Sequence, residues 1–175
     1  MSYETVNGVL KHFGPEESGS HKGFTASTVT YGQTTELVID FDLTAVANIE
    51  EFGRALGVTI PANSAIREAI LKVQESAAGS SGVLDIGLTQ LDDGVADVDG
   101  LFDGLAQGSL TAGTWHIGNG QLLPQRSVTN DGAGTDPVVE TQPVSNAEAC
   151  VVSAAVASGS FSGGSATLII RYIEA

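Results

Sequence analysis

The chain is short of cations, of cysteine and of long apolar runs. Lys and Arg together number 7 against 21 Asp and Glu in 175 residues, so the formal net charge is −14. A surface with so little positive charge repels phosphate backbones and anionic headgroups. Direct nucleic-acid binding and attachment to a membrane surface are therefore not expected. Cys150 is the single cysteine, so no intrachain disulfide can staple the fold. It stands in the apolar run EACVVSAAV, a setting for a small buried hydrophobe rather than a nucleophile. No stretch reaches the roughly 18 apolar residues that a spanning helix requires. The opening MSYETVNGVLKHFG lacks the charged start and apolar centre of a secretory leader. Charged residues are 16% of the chain, below the usual share of about 25%. Glycine, at 22 residues, is well above its usual share of about 7%. Small residues, turns and few charges favour an all-β chain.

Residues 1 to 34 carry isolated apolar residues, Tyr3, Val6, Val9, Leu10, Phe13 and Phe24, around the polar stretch GPEESGSHKG. No period suits them, so the segment is expected to be an extended N-terminal arm, ordered by what it touches. TELVIDFDLT (35–44) alternates: Leu37, Ile39, Phe41 and Leu43 on one side, Glu36, Val38, Asp40 and Asp42 on the other. That is a half-buried strand. In NIEEFGRALGV, Ile49, Phe52 and Leu56 recur at helical spacing; Asn48 suits the cap and Gly57 the end. IPANSAIREAILKVQESAAGSSG fits a helix or a strand. A strand is preferred, because VLDIGL follows Gly79-Ser80-Ser81-Gly82 at hairpin distance. Thr111-Ala112-Gly113 reads as a turn and Trp115 to Ile117 as a short strand. Residues 124–146 hold three of the five prolines and are expected to form a long loop. EACVVSAAVAS and ATLIIRYIEA then read as two strands joined by the hairpin connection GSFSGG. The expected architecture is all-β: a β-sandwich or jelly roll over residues 35–175, with one or two short helices.

The stretch LDDGVADVDGLFDG (91–104) holds five aspartates, Asp92, Asp93, Asp97, Asp99 and Asp103, with three glycines and no cation. A calcium loop of the EF-hand type needs oxygens at positions 1, 3 and 5, Gly at 6 and Glu at 12. Starting at Asp97 puts Leu101 at position 5; starting at Asp93 puts Val95 at position 3, and no Glu closes either register. A looser, weak cation site stays open. Turn chemistry accounts better for the aspartates, and VDGLFDGLAQG is expected to add one helical turn with Leu101, Phe102 and Leu105 inward. His12, His21 and His116 lack zinc-type spacing. No nucleophile elbow or phosphate loop is present. Neither a metal nor a cofactor is expected, and no catalytic residue is assigned.

The ordered series LVIDFDLT, IPANSAIREAILKV, VLDIGL, DVDGL, SLTAGT and VVSAAVASGSFSGGSATLIIRYI resembles the capsid decoration (cement, or head auxiliary) proteins of tailed bacteriophages. The resemblance runs from Thr35 to Ile173, with 124–146 as an embellishment. It implies a jelly-roll-like structural protein, without enzymatic activity, that binds the outside of a capsid and stabilises it by bridging capsomers. It further implies the major capsid protein as partner, a homotrimer, and a place on the virion exterior after synthesis in the host cytoplasm. On that reading Tyr3, Val6, Val9, Leu10 and Phe13 are the capsid contacts. The main rival is a receptor- or glycan-binding module, with Trp115, His116, Tyr31 and the long loop lining a shallow site. A jelly-roll hydrolase is a more distant rival.

Overall fold

The computed structural model describes residues 2–6, 9–13, 23–91, 96–120, 123 and 149–173, the first two segments as backbone alone. β1 (Ser2–Val6) and β2 (Val9–Phe13) pair antiparallel in a two-stranded sheet of their own. The main sheet contains β3 (Phe24–Tyr31), β4 (Thr34–Asp42), β5 (Ala65–Gln90), β6 (Ala96–Ala106), β7 (Trp115–Ile117) and β8 (Cys150–Ile173). Its order is β3-β4-β8-β5-β6, with β7 also on β5. Every pairing is antiparallel, and the fold is all-β.

β5 and β8 pair from Ala65↔Ile173 to Gln90↔Cys150, making one long ribbon. Its ends are buried and its middle, near 74–82 and 156–162, is largely exposed. The ribbon doubles back at that middle. Gly118 N donates to Ala69 O, while two residues later Gly120 N donates to Leu101 O. Leu101 neighbours Phe102, the register partner of Ile86. On a straight strand Ala69 and Ile86 would lie roughly 55 Å apart, so one short segment can touch both neighbourhoods only if β5 folds over. The Asn119 side chain strengthens this closure: its Oδ1 accepts from Asp103 N and its Nδ2 donates to Asp103 O, at 3.0 and 3.1 Å. The two layers of the expected sandwich are thus halves of one continuous sheet. A single core lies between them and includes Leu37, Leu71, Ile86, Leu101 and Leu168.

Two hairpins read from the sequence are corrected here. Gly79-Ser80-Ser81-Gly82 does not turn β5 back on itself, and GSFSGG does not split β8. Each run pairs with the other, Gly79 with Phe161 and Ser80 with Ser160, so the two glycine-rich segments bend together. The helical turn expected in VDGLFDGLAQG is instead strand β6. Pairing with β5 sets its state, and a register shift between Leu88↔Asp97 and Ile86↔Phe102 brings both Leu101 and Phe102 into the core. The arm boundary also moves: Phe24 and Ala26 are buried, and β3 pairs β4 over eight positions. Residues 24–31 therefore belong to the sheet.

α1 (Ile49–Leu56), preceded by a 3₁₀ segment over 43–48, crosses between β4 and β5. Its buried Ile49, Phe52 and Leu56 are the residues whose spacing predicted it. Phe52 meets Phe24 with ring centroids 5.5 Å apart. Gly57 ends the helix at φ 66°, a left-handed conformation that favours glycine. Asn48 occupies the cap position but makes no capping hydrogen bond. Arg54 pairs with Glu50 at 2.9 Å, and its guanidinium reaches Gln90 O at 3.4 Å, tying the helix to the end of β5. Cys150 is buried, as its apolar run suggests.

Candidate interaction face

The first layer comprises β3, β4, β7, the first part of β5 and the last part of β8, and alternation along its strands sends Leu37, Ile39, Phe41, Leu168, Ile170, Ala69 and Leu71 inward. The opposite side chains form an outer face, and the pairing register arranges them in rows across the strands. One row reads Glu36, Arg171, Glu68. The next reads Val38, Ile169, Ile70, Ile117. The third reads Thr25, Asp40, Thr167, Lys72, Trp115. An apolar row is thus flanked by two polar ones.

The flanking rows are internally satisfied. Arg171 donates to Glu36 at 2.9 Å and to Glu68 at 2.8 Å, one carboxylate on each neighbouring strand. The Glu36 hydrogen bond is the main cause of an upward shift in the Arg171 pKa, with burial opposing it and Glu68 assisting. The guanidinium therefore remains charged throughout the ordinary pH range. In the third row Asp40 accepts from Thr25 and Thr167, and Gln74 donates to Thr167 at 2.9 Å. The Lys72 ammonium sits 5.2 Å from the centre of the Trp115 ring, a cation–π arrangement. A shallow open groove lined by Phe24, Thr25, Asp40, Asp42 and Gln74 borders this row. Its Thr25, Asp40 and Gln74 side chains already bond one another or Thr167, and no nucleophile–base pair lies there. At the far edge the apolar side chains turn outward, with Trp115 56% and Ile117 62% exposed.

The rival binding site is not assembled by the described residues. Tyr31 is 64% exposed but lies on β3, in the row of Thr34 and Ile173. Trp115 is four strands across and six residues along from it, which is roughly 28 Å. His116 points away from Trp115, and its Nε2 lies 3.1 Å from Ser109 O and 3.3 Å from Thr114 Oγ1. It holds the turn before β7. Residues 124–146 lie outside the described residues.

Of the aspartates, Asp92 and Asp93 also lie outside the described residues, while Asp97, Asp99 and Asp103 are on β6. This corrects the turn reading for the second half of the stretch. The described residues contain no group of three His, Cys, Asp or Glu side chains placed to hold a metal. The Asp97 carboxyl is held above the usual carboxylate range by burial and then by its neighbour Asp99. Tyr3, Val6, Val9, Leu10 and Phe13 fall on the β1–β2 hairpin, at register positions Tyr3↔His12, Val6↔Val9, Thr5↔Leu10 and Ser2↔Phe13. Their side chains lie outside the described residues. Reading residues 1–13 as unpatterned overlooked Asn7-Gly8, a hairpin signal in the sequence. The apolar row was also overlooked, because its members come from four strands distant in sequence.

No protein-family model and no curated protein matches the chain. A solved structure titled as the capsid of Ralstonia phage GP4 aligns with it at 22% identity, covering 83% of this chain and 87% of that one, with a TM-score of 0.44. A score of that size does not establish a shared fold.

Proposed function

We propose that this chain is a structural virion protein that attaches to the outside of a phage capsid and stabilises it by bridging capsomers. It works without a catalytic step, and the major capsid protein is its partner. The observation that carries the reading is the placement of the β1–β2 hairpin in a sheet separate from the six-stranded one. The hairpin lies beside β3 without joining its sheet, and a two-stranded sheet by itself is marginal in water. Its sequence nevertheless holds Tyr3, Val6, Val9, Leu10 and Phe13, the composition of a segment completed by a partner surface. The sequence resemblance supports the same reading and adds a homotrimer. Several arms acting together would convert a small gain per arm into firm attachment.

The test is to add full-length and truncated protein to particles that lack it and to count bound copies. The truncation removes residues 1–22 only. Cutting through Phe24 would remove a core residue and the first pair of the edge strand β3, because Phe24 is buried and pairs Phe41. The expected result is a folded truncated protein that binds at least tenfold fewer copies. Equal binding would move the attachment surface onto the β-domain. Purified virions should contain the full chain in many copies, and its absence from them would defeat the proposal.

A further inference from the structure

We propose that the outer face of the first layer is a self-association surface, on which a second copy of this chain packs face to face across a two-fold axis running along β8. This contact is distinct from any three-fold assembly, and it stands whether or not the chain coats a capsid.

Charge selects the occupant. The chain carries −14 in total, so most of its surface repels another copy. The three rows of this face carry Lys72 and Arg171 against Glu36, Asp40 and Glu68, two cations less three carboxylates, a net of −1. The acidic remainder suits a basic partner better than this face does. A nearly neutral face with an apolar centre suits an equally neutral one, and the same face on a second copy has that character.

Register supplies the complementarity. Asp40 on β4 and Lys72 on β5 both pair with Thr167 on the intervening β8. A two-fold axis along β8 therefore sets Lys72 of each copy over Asp40 of the other. The same rotation lays Val38 over Ile70 of the second copy and Ile169 over its own counterpart. Glu36 comes opposite Glu68 of the second copy, but each carboxylate is already held by its own Arg171. Trp115 and Ile117, exposed on the edge strand β7, reach toward Thr25 and Ser27 of the second copy.

The size is adequate for a reversible contact. Five strands about 4.8 Å apart and about seven residues long cover roughly 500 Å². Two such faces bury roughly 1,000 Å², the lower limit for a specific interface. The association should therefore be weak and concentration-dependent.

Sedimentation velocity of the full chain over a concentration series tests this, with Ile117→Lys, Lys72→Asp and the double variant Lys72→Asp/Asp40→Lys. Melting curves verify that each variant folds. The wild-type chain should associate reversibly in pairs, as dimers or as paired larger assemblies. Ile117→Lys and Lys72→Asp should each weaken that association about tenfold or more, and the double variant should regain most of the loss from Lys72→Asp. If the double variant does not fold, Ile117→Lys decides alone, because that side chain is largely in solvent. A chain that stays monomeric throughout overturns the proposal. So does an assembly indifferent to both single variants, or a folded double variant that binds no better than Lys72→Asp.

Discussion

At the scale of single residues, Asp97 gives the clearest pH dependence. Burial raises the Asp97 pKa first, and the adjacent Asp99 carboxylate raises it further. A carboxyl whose folded-state pKa lies above its unfolded value binds its proton more tightly in the fold. The resulting stabilisation is complete below the unfolded value of about 3.9 and is lost as pH rises through the raised folded value. Above that raised value the Asp97 carboxylate carries its charge against burial and beside Asp99. Asp97→Asn should therefore melt at a higher temperature than the wild type at pH 7, with the gap closing as pH falls below about 4. Thermal melts at the two pH values decide it, and a gap independent of pH refutes the assignment. Burial and proximity create this effect, and only the neighbouring spacing of the two aspartates was visible in the sequence.

At the scale of elements, the bend of the β5–β8 ribbon depends on glycines that a sequence reading took for hairpin turns. Gly79 has φ 149°, and an added Cβ would run into the Ser160 carbonyl oxygen and the Phe161 backbone on the paired strand. Neither obstacle is a flexible side-chain tip. Gln107 also holds this corner: its Oε1 accepts from Gly82 N at 3.1 Å and its Nε2 donates to Gly79 O at 3.4 Å. Gly79→Ala should cost about 1–3 kcal/mol through backbone strain and the displaced strand. Urea unfolding measures it, and a loss below about 0.5 kcal/mol, the range of neutral surface changes, would show that the bend relaxes freely. The elements themselves were unevenly legible. β4 and α1 declared themselves through clean periods of two and of three to four. β6 did not, because Leu101 and Leu105 mimic a helical spacing on a strand with an irregular register.

At the scale of the whole molecule, the −14 charge acts against compaction. Arg54 and Arg171 form ion pairs, but 21 acidic residues against 7 basic ones leave self-repulsion to outweigh pairing. Salt shortens the screening length from about 30 Å at 0.01 M to about 10 Å at 0.1 M. Added sodium chloride should therefore raise the melting temperature between those concentrations, and a flat or falling response would show that the ion pairs dominate. The same screening should strengthen association in pairs, which provides a second readout on one sample.

The sequence by itself determined the all-β class, the short helix between β4 and β5, the burial of Cys150 and the strongly acidic surface. Each of these follows from local periodicity or from composition, which require no knowledge of partners. Tertiary structure alone decided that two apparent hairpins are one folded ribbon, that residues 24–31 belong to the sheet, and that Val38, Ile169, Ile70 and Ile117 form one row. The physical reason is that hydrogen bonding in a sheet is non-local. A glycine-rich run can turn a strand back on itself or bend it beside a partner run, and only the distant strand lying opposite selects between them. Likewise, an outer face is composed of residues up to about 145 positions apart in sequence, and pairing register, rather than spacing along the chain, brings them together.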